Sequence, residues 1–205
     1  MPWGEQATLL RGGRNIITTI GAYALLVLFF VLEGRLRQGQ AAKSFAAGES
    51  DQRSTRYVGA AFGISIVLAL LAPLLNWLKI GSVIPAWLAW LGLLLAAGGL
   101  ALRLWAPRVL GRFYTRTLRT QDQQTVVEDG PYRLIRHPGY AGTLAMWIGV
   151  GLALGNAIVA LVMAVMLLAA YLYRIQSEEQ MLVERLGQPY RDYQARTRRL
   201  IPFIY

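Results

Sequence analysis

The 205-residue chain contains no cysteine, a single histidine (His137) and few charged side chains. Without cysteine there is no disulfide scaffold, no thiolate metal site and no cysteine nucleophile. One histidine excludes a multi-histidine metal centre, so no metal is expected. A Ser/His/Asp arrangement has no local signature to rest on. Charged residues make up 16% of the chain, against about 25% in ordinary globular proteins, while apolar residues reach 55% and the mean hydropathy is +0.39. A soluble chain of this size has too little interior to hide that much apolar surface, so the composition points to a membrane protein. Neither a Gly-x-Gly-x-x-Gly turn after a strand nor a Gly-x-x-x-x-Gly-Lys-[Ser/Thr] segment is present, which excludes a soluble Rossmann-type nucleotide or methyl-donor domain.

A spanning helix needs about 20 mostly apolar residues. Three runs qualify directly: 16–32, 57–78 and 83–106. The first follows Arg11 and Arg14, as in a signal peptide. Its run of 17 residues exceeds the usual length of a signal core, however, and Phe29-Phe30-Val31-Leu32 offers no small-residue cleavage site, so it reads as an uncleaved span. The block from Gly139 to Tyr173 holds 35 residues without a charge. As one helix it would reach about 52 Å, far beyond a hydrocarbon core of roughly 30 Å. Gly155-Asn156 near its middle is a turn dipeptide, and two spans, 138–154 and 157–173, follow. The expectation is an all-α integral membrane protein of five transmembrane helices, organised as one membrane domain over 1–205.

The basic residues test that count. With five spans, 17 of the 21 Lys and Arg fall in the loops 33–56 and 107–139 and the tail after Tyr173, all on one side. Only Arg11, Arg14 and Lys79 fall on the other. A single span over 139–173 would reduce the tally to 11 against 9. The strong bias favours five spans, with the N-terminus outside and the C-terminus in the cytoplasm. It also explains the net charge of +10 through loops lying against anionic membrane lipid, with no nucleic-acid partner. Gly59 and Gly63 in the second span match a small-residue pattern read here as ordinary helix packing.

Polar residues gather in the loop 107–138 and in the extension beyond Tyr173. Gly130-Pro131-Tyr132 reads as a turn, and Pro138 suits the first position of a helix, which places His137 at its N-cap. The amides and dipole of such an end favour an anion. Alternatively, Arg133, Arg136 and His137 anchor the span in the headgroups. In the extension, Leu182, Leu186, Tyr190 and Tyr193 continue a helical period. Arg174 and Glu178 lie four apart, on one face at the membrane boundary. Glu179 falls on a neighbouring face. The pair is either an ordinary surface contact or a seat for a zwitterion, the carboxylate taking an ammonium and the guanidinium a carboxylate.

The run from Gly130 to Gly142, with Arg136-His137-Pro138-Gly139-Tyr140-Ala141-Gly142 at its centre, resembles the Arg-His-Pro-x-Tyr-x-Gly motif of the isoprenylcysteine carboxyl methyltransferase family. The apolar hairpin, Glu178-Glu179 and the ending from Gly187 to Tyr193 are similar too, so the resemblance covers roughly 103–205 and makes that the catalytic part. It implies an integral-membrane enzyme using S-adenosylmethionine, with the cofactor held between the hairpin and the C-terminal extension. The residues matching the family's cofactor-binding positions are Gln124, Thr125, Val126, Val127, Tyr132, His137, Pro138, Gly139, Tyr140 and Glu178, the last taking the cofactor's ammonium. Arg174 matches the arginine that faces the substrate. Five spans resemble the compact prokaryotic members, which implies a prokaryotic inner membrane.

The acceptor implied is lipophilic: an isoprenylcysteine-like or other lipid-like carboxylate, oriented by Arg174. Related enzymes methylate phospholipid amines or thiols, which need a base, and His137 is the one side chain here of a type that titrates near neutrality. Sterol reductases, which use a nicotinamide donor, share the ending 199–205. A scaffold that kept the fold and lost activity is the non-enzymatic alternative.

Overall fold

The computed structural model describes residues 3–36, 53–81, 84–113 and 125–202. Among them are six α-helices: α1 (Trp3–Leu36), α2 (Ser54–Trp77), α3 (Ala86–Leu110), α4 (Pro138–Ala153), α5 (Ala157–Leu186) and α6 (Gln188–Arg196). Short 3-10 turns occupy Gly111–Phe113 and Gly130–Arg133. A parallel β-bridge joins Ile135 and Arg198.

Four helices are long and apolar enough to cross a membrane: Ile16–Arg35 within α1, then α2, α3 and α5. The fifth expected span, 138–154, is α4, and its 16 residues fall short of that length. At 1.5 Å per residue it extends about 24 Å. The reason is position: Thr143, Leu144, Met146, Trp147, Gly149, Val150 and Ala153 are all buried, so neighbouring helices cover α4 in place of lipid. The other expected boundaries also move. The polar loop does not begin at Pro107, because α3 continues through it to Leu110 and stops where Gly111 takes φ 56°. Helix α5 runs 13 residues past 173, to Leu186, so the expected extension is a rigid continuation of the last apolar helix.

Many large apolar side chains point outward, with Ile16, Ile20, Val27, Leu70, Leu94, Leu161 and Val165 each more than half exposed, while Trp147, Met146, Met163 and Leu167 form the centre of the core. Small residues line the helix contacts around that core: Ala22, Ala61, Ala69, Ala72, Ala89 and Ala96 are almost completely covered. Lipid tails are as apolar as leucine, so association between such helices depends on close backbone approach, which small residues permit. The approach is tightest between α3 and α4. A Cβ added to Gly92 or Gly99 would lie under 3.0 Å from the α4 backbone, and one added to Gly142 or Gly149 under 3.0 Å from α3. By contrast, a Cβ on Gly59 or Gly63 meets nothing within 4 Å. The small-residue pattern of α2 is therefore not a packing face within the chain, contrary to the expectation.

The α4–α5 turn falls where the sequence places it. Gly155 has φ 79°, and Asn156 caps α5 by accepting from the Val159 N–H at 3.0 Å. The buried Asn156 amide also donates to Asn76 Oδ1 (2.8 Å) and to the Ile80 carbonyl (2.9 Å), tying this turn to the end of α2. The polar segments 125–137 and 187–202 lie at the opposite end of the bundle.

Candidate active site

Pro138 begins α4 because its missing N–H costs nothing in a first turn. That leaves His137 at the N-cap, facing the projecting part of α5. A cavity of about 730 Å³ opens at this end. Its walls include Thr125, Val126, Val127, Tyr132, His137, Gly139, Tyr140, Arg174 and Glu178, so nine of the eleven expected site residues surround one space. Pro138 is buried in the first turn of α4 behind that wall. Gln124 lies outside the described residues.

Three groups form the centre. Arg174 Nε donates to the Tyr140 hydroxyl at 2.7 Å, and that hydroxyl donates to Glu178 Oε2 at 2.6 Å. The expected Arg174–Glu178 pair is thus bridged through a tyrosine from another helix. Arg174 is 5% exposed; its Nη1 donates to Thr55 Oγ1 (3.0 Å) and Ser54 Oγ (3.4 Å) at the start of α2. Tyr140 stacks between His137 (5.5 Å, 6°) and Tyr171 (4.7 Å, 28°), so its hydroxyl has little freedom.

The neighbouring carboxylate does different work. Glu179 Oε1 accepts from Arg136 Nε at 2.7 Å and lies 3.2 Å from His137 Nε2, while Oε2 accepts from Arg199 Nε at 3.0 Å. Beyond Tyr173 this part of α5 stands outside the apolar block. Burial alone would raise the Glu179 pKa; hydrogen bonds from His137 and Arg136, with their charges, prevail and lower it to about 2. Arg136 also donates to the carbonyls of Thr197 (2.6 Å) and Gln194 (3.2 Å). The Arg136 and His137 amides donate to the carbonyls of Arg198 and Arg199. The C-terminal segment is thereby laced to the loop before α4, and Arg136 and His137 are buried parts of this lattice, not headgroup anchors. His137 reaches Glu178 only with Nδ1, at 3.9 Å.

Sequence reasoning passed over two further residues on the wall. Arg103 of α3 grips Glu33 of α1 with two hydrogen bonds, 3.1 and 2.6 Å, largely buried. The signal was present: Arg103 is a charge inside an apolar run, which marks function or pairing by default. Tyr190 and Tyr193 complete the polar side of the cavity. Burial raises both hydroxyls well above the ordinary tyrosine value, so they remain neutral, and Tyr193 donates to the Tyr132 carbonyl at 2.7 Å.

The cavity has two unlike halves. Around Tyr132, His137, Glu178, Leu182 and Tyr190 it is aromatic and polar. Between α1 and α2 it becomes an apolar arm walled by Phe29, Phe30, Val58, Phe62 and Ile66. The Tyr140–Arg174–Glu178 chain stands among the side chains of this wall. Such an arrangement can hold a zwitterion and a lipophilic molecule end to end.

An all-helical, multi-pass membrane protein with its polar site at one end of the bundle is the class these features define. Residues 87–189 match the family described as phospholipid methyltransferase, and the chain belongs to that family. It resembles the isoprenylcysteine methyltransferases within it. It is 30% identical over 144 residues to protein-S-isoprenylcysteine O-methyltransferase A of Arabidopsis thaliana, covering 67% of this chain and 73% of that one. To the probable protein-S-isoprenylcysteine O-methyltransferase of Oryza sativa subsp. indica it is 31% identical over 118 residues, or 57% of this chain; the match spans 62% of the rice protein's length. The solved structure of the eukaryotic intramembrane Ras methyltransferase, isoprenylcysteine carboxyl methyltransferase, superposes with a TM-score of 0.67 at 27% identity. That match covers 93% of this chain and 68% of the other.

Proposed function

We propose that this chain transfers a methyl group from S-adenosylmethionine to a lipophilic carboxylate at the membrane, an isoprenylcysteine-like or similar lipid-like acid. The observation that carries the reading is the two-part cavity, in which Tyr140 links a carboxylate, Glu178, to a buried arginine, Arg174. The residues present fit the cofactor. Glu178 is partly accessible, and its Oε1 has no hydrogen-bond partner among the described residues, which leaves an acceptor for an ammonium. Tyr132, Leu182, Leu186 and Tyr190 supply the flat apolar walls an adenosine group requires, with Thr125, Val126 and Val127 beside them.

Bound there, the cofactor supplies an electrophilic methyl on a sulfonium. The chain's own contribution is positioning and exclusion of water. Glu178 holds the ammonium end, while Tyr140 fixes Glu178 relative to Arg174. Arg174 presents its guanidinium to an acceptor carboxylate, which arrives ionised and needs no base. His137, engaged by Glu179, serves here as a positioning residue. The charge tally orients the protein with its N-terminus outside and this site at the cytoplasmic face, in five spans with α4 enclosed by the others.

The test is equilibrium binding to the purified full chain. S-adenosylmethionine should bind and NADPH should not; the reverse would return the reductase reading, and binding of neither would leave a scaffold. Glu178→Gln should weaken S-adenosylmethionine binding by about ten- to a hundredfold, the range of one charge-assisted hydrogen bond, with melting nearly unchanged. Unaltered affinity would remove Glu178 from the site.

A further inference from the structure

Gly59 and Gly63 are one turn apart on α2, and both line the apolar arm of the cavity. A side chain at either would meet no atom within 4 Å, and both glycines are exposed in the chain alone. They do not serve helix packing, unlike Gly92, Gly99, Gly142 and Gly149, whose missing side chains admit a neighbouring backbone. Glycine inside a helix costs about 1 kcal/mol relative to alanine, and here no contact within the chain offsets it. What the two glycines create is width along the arm.

The arm has a polar end and an apolar end. Thr55, bonded to Arg174, stands at its head, and Ile66 lines it further along the same helix. Eleven residues at 1.5 Å each place these about 17 Å apart along α2. Opposite are Phe29 and Phe30 of α1, with Glu33 and Arg103 towards the polar end. Phe62, between the two glycines, is held in place by Phe29 (6.1 Å, stacked) and by the buried Trp147 (5.6 Å, edge-on). Beyond Ile66, α1 and α2 are joined where the Tyr23 hydroxyl donates to the Ala69 carbonyl at 2.8 Å. The aromatic cluster Phe29–Phe62–Trp147 thus stiffens the arm, while α2 leaves two successive vacant side-chain positions, at Gly59 and Gly63, at different distances from the head.

We infer that Gly59 and Gly63 set the chain length of the acceptor: its apolar tail lies along α2 over these two positions, with its anionic head at Arg174. This rests on the acceptor reading above and assigns a specificity role to two residues that make no polar contact. A leucine at Gly63 blocks the arm far from the head and excludes only long tails. A leucine at Gly59 blocks it one turn nearer and excludes medium tails as well.

The experiment uses the full-length protein in detergent and two series of probes. In the first, straight-chain fatty acids of increasing length compete for binding without any cofactor. In the second, geranyl-, farnesyl- and geranylgeranyl-cysteine are offered with S-adenosylmethionine and methylation is measured. Gly63→Leu should lower affinity for the longest tails about tenfold or more, the transfer value of two or so excluded methylenes, and leave the shortest within about twofold. Gly59→Leu should move the cut-off to shorter tails. Gly98→Leu is the control: Gly98 of α3 also has open space around it but does not line the cavity. It should bind every length as the parent does.

Equal loss at all lengths in the two α2 variants, or no loss, overturns the inference. So does a changed oligomeric mass with unaltered length preference, which would make the motif a helix-association face. If the fatty-acid cut-off shifts as expected and no prenylcysteine is methylated, the acceptor reading fails while the length gauge stands.

Discussion

Glu179→Gln isolates what the buried carboxylate at the C-terminal lattice contributes. The substitution keeps the side chain's shape and removes its charge, leaving Arg136 and Arg199 without their anion and His137 with a weaker partner. Glu179 is 5% exposed, so solvent does little to replace that anion. Its carboxyl is lowered from 4.5 to about 2 in the folded chain. At about 1.4 kcal/mol per unit, the ionised form stabilises the fold by about 3 kcal/mol. The sign follows from the direction: a carboxylate lowered by folding contributes fully above its unfolded value, and the contribution drains as pH falls from 4.5 towards 2. For a chain of this size each kcal/mol shifts the melting temperature by about 2–4 °C, so the variant should melt roughly 6–12 °C below the parent at neutral pH. The assay is paired thermal melting of parent and variant in one detergent across a pH series. The two curves should converge as the medium becomes acidic, because the parent loses what the variant never had. Equal melting at pH 7 would show that Arg136, Arg199 and His137 do not depend on the charge of Glu179. A gap that stays constant or widens in acid would refute the electrostatic origin.

Two other outcomes test the geometry. Arg174→Lys should cut binding of an acidic acceptor at least about tenfold while S-adenosylmethionine affinity changes little, because an ammonium cannot reproduce the guanidinium's simultaneous bonds to Tyr140 and Thr55 and still meet a carboxylate. Equal loss of both ligands would mean that Arg174 acts only through Tyr140 on Glu178. Reporter domains fused before Met1 and after Tyr205 should read external and cytoplasmic respectively; both on one side would refute five spans.

Much of this protein is legible before any coordinates. The 35 charge-free residues after Pro138 are too long for one crossing, and the Gly155-Asn156 turn divides them for a local reason, a positive φ followed by a side-chain cap. Local chemistry also determines that α4 starts at Pro138 and that Arg174 and Glu178 share a face. These features depend on short stretches of chain, which is why reading along the chain finds them.

Other features required residues far apart in sequence to meet. Tyr140 inserts its hydroxyl between Arg174 and Glu178, and Glu33 pairs with Arg103 across 70 positions; spacing along one helix cannot show either. The sequence gives no way to tell which glycines touch a neighbour, because Gly59 and Gly63 have the same spacing and composition as a packing motif. The difference is environmental: Gly99 faces the α4 backbone and Gly63 faces the cavity. Likewise, apolarity alone cannot say that α4 is enclosed by protein rather than lipid, since both solvents select the same side chains. Only the tertiary arrangement decides which of them surrounds the helix, and with it how short that helix can be.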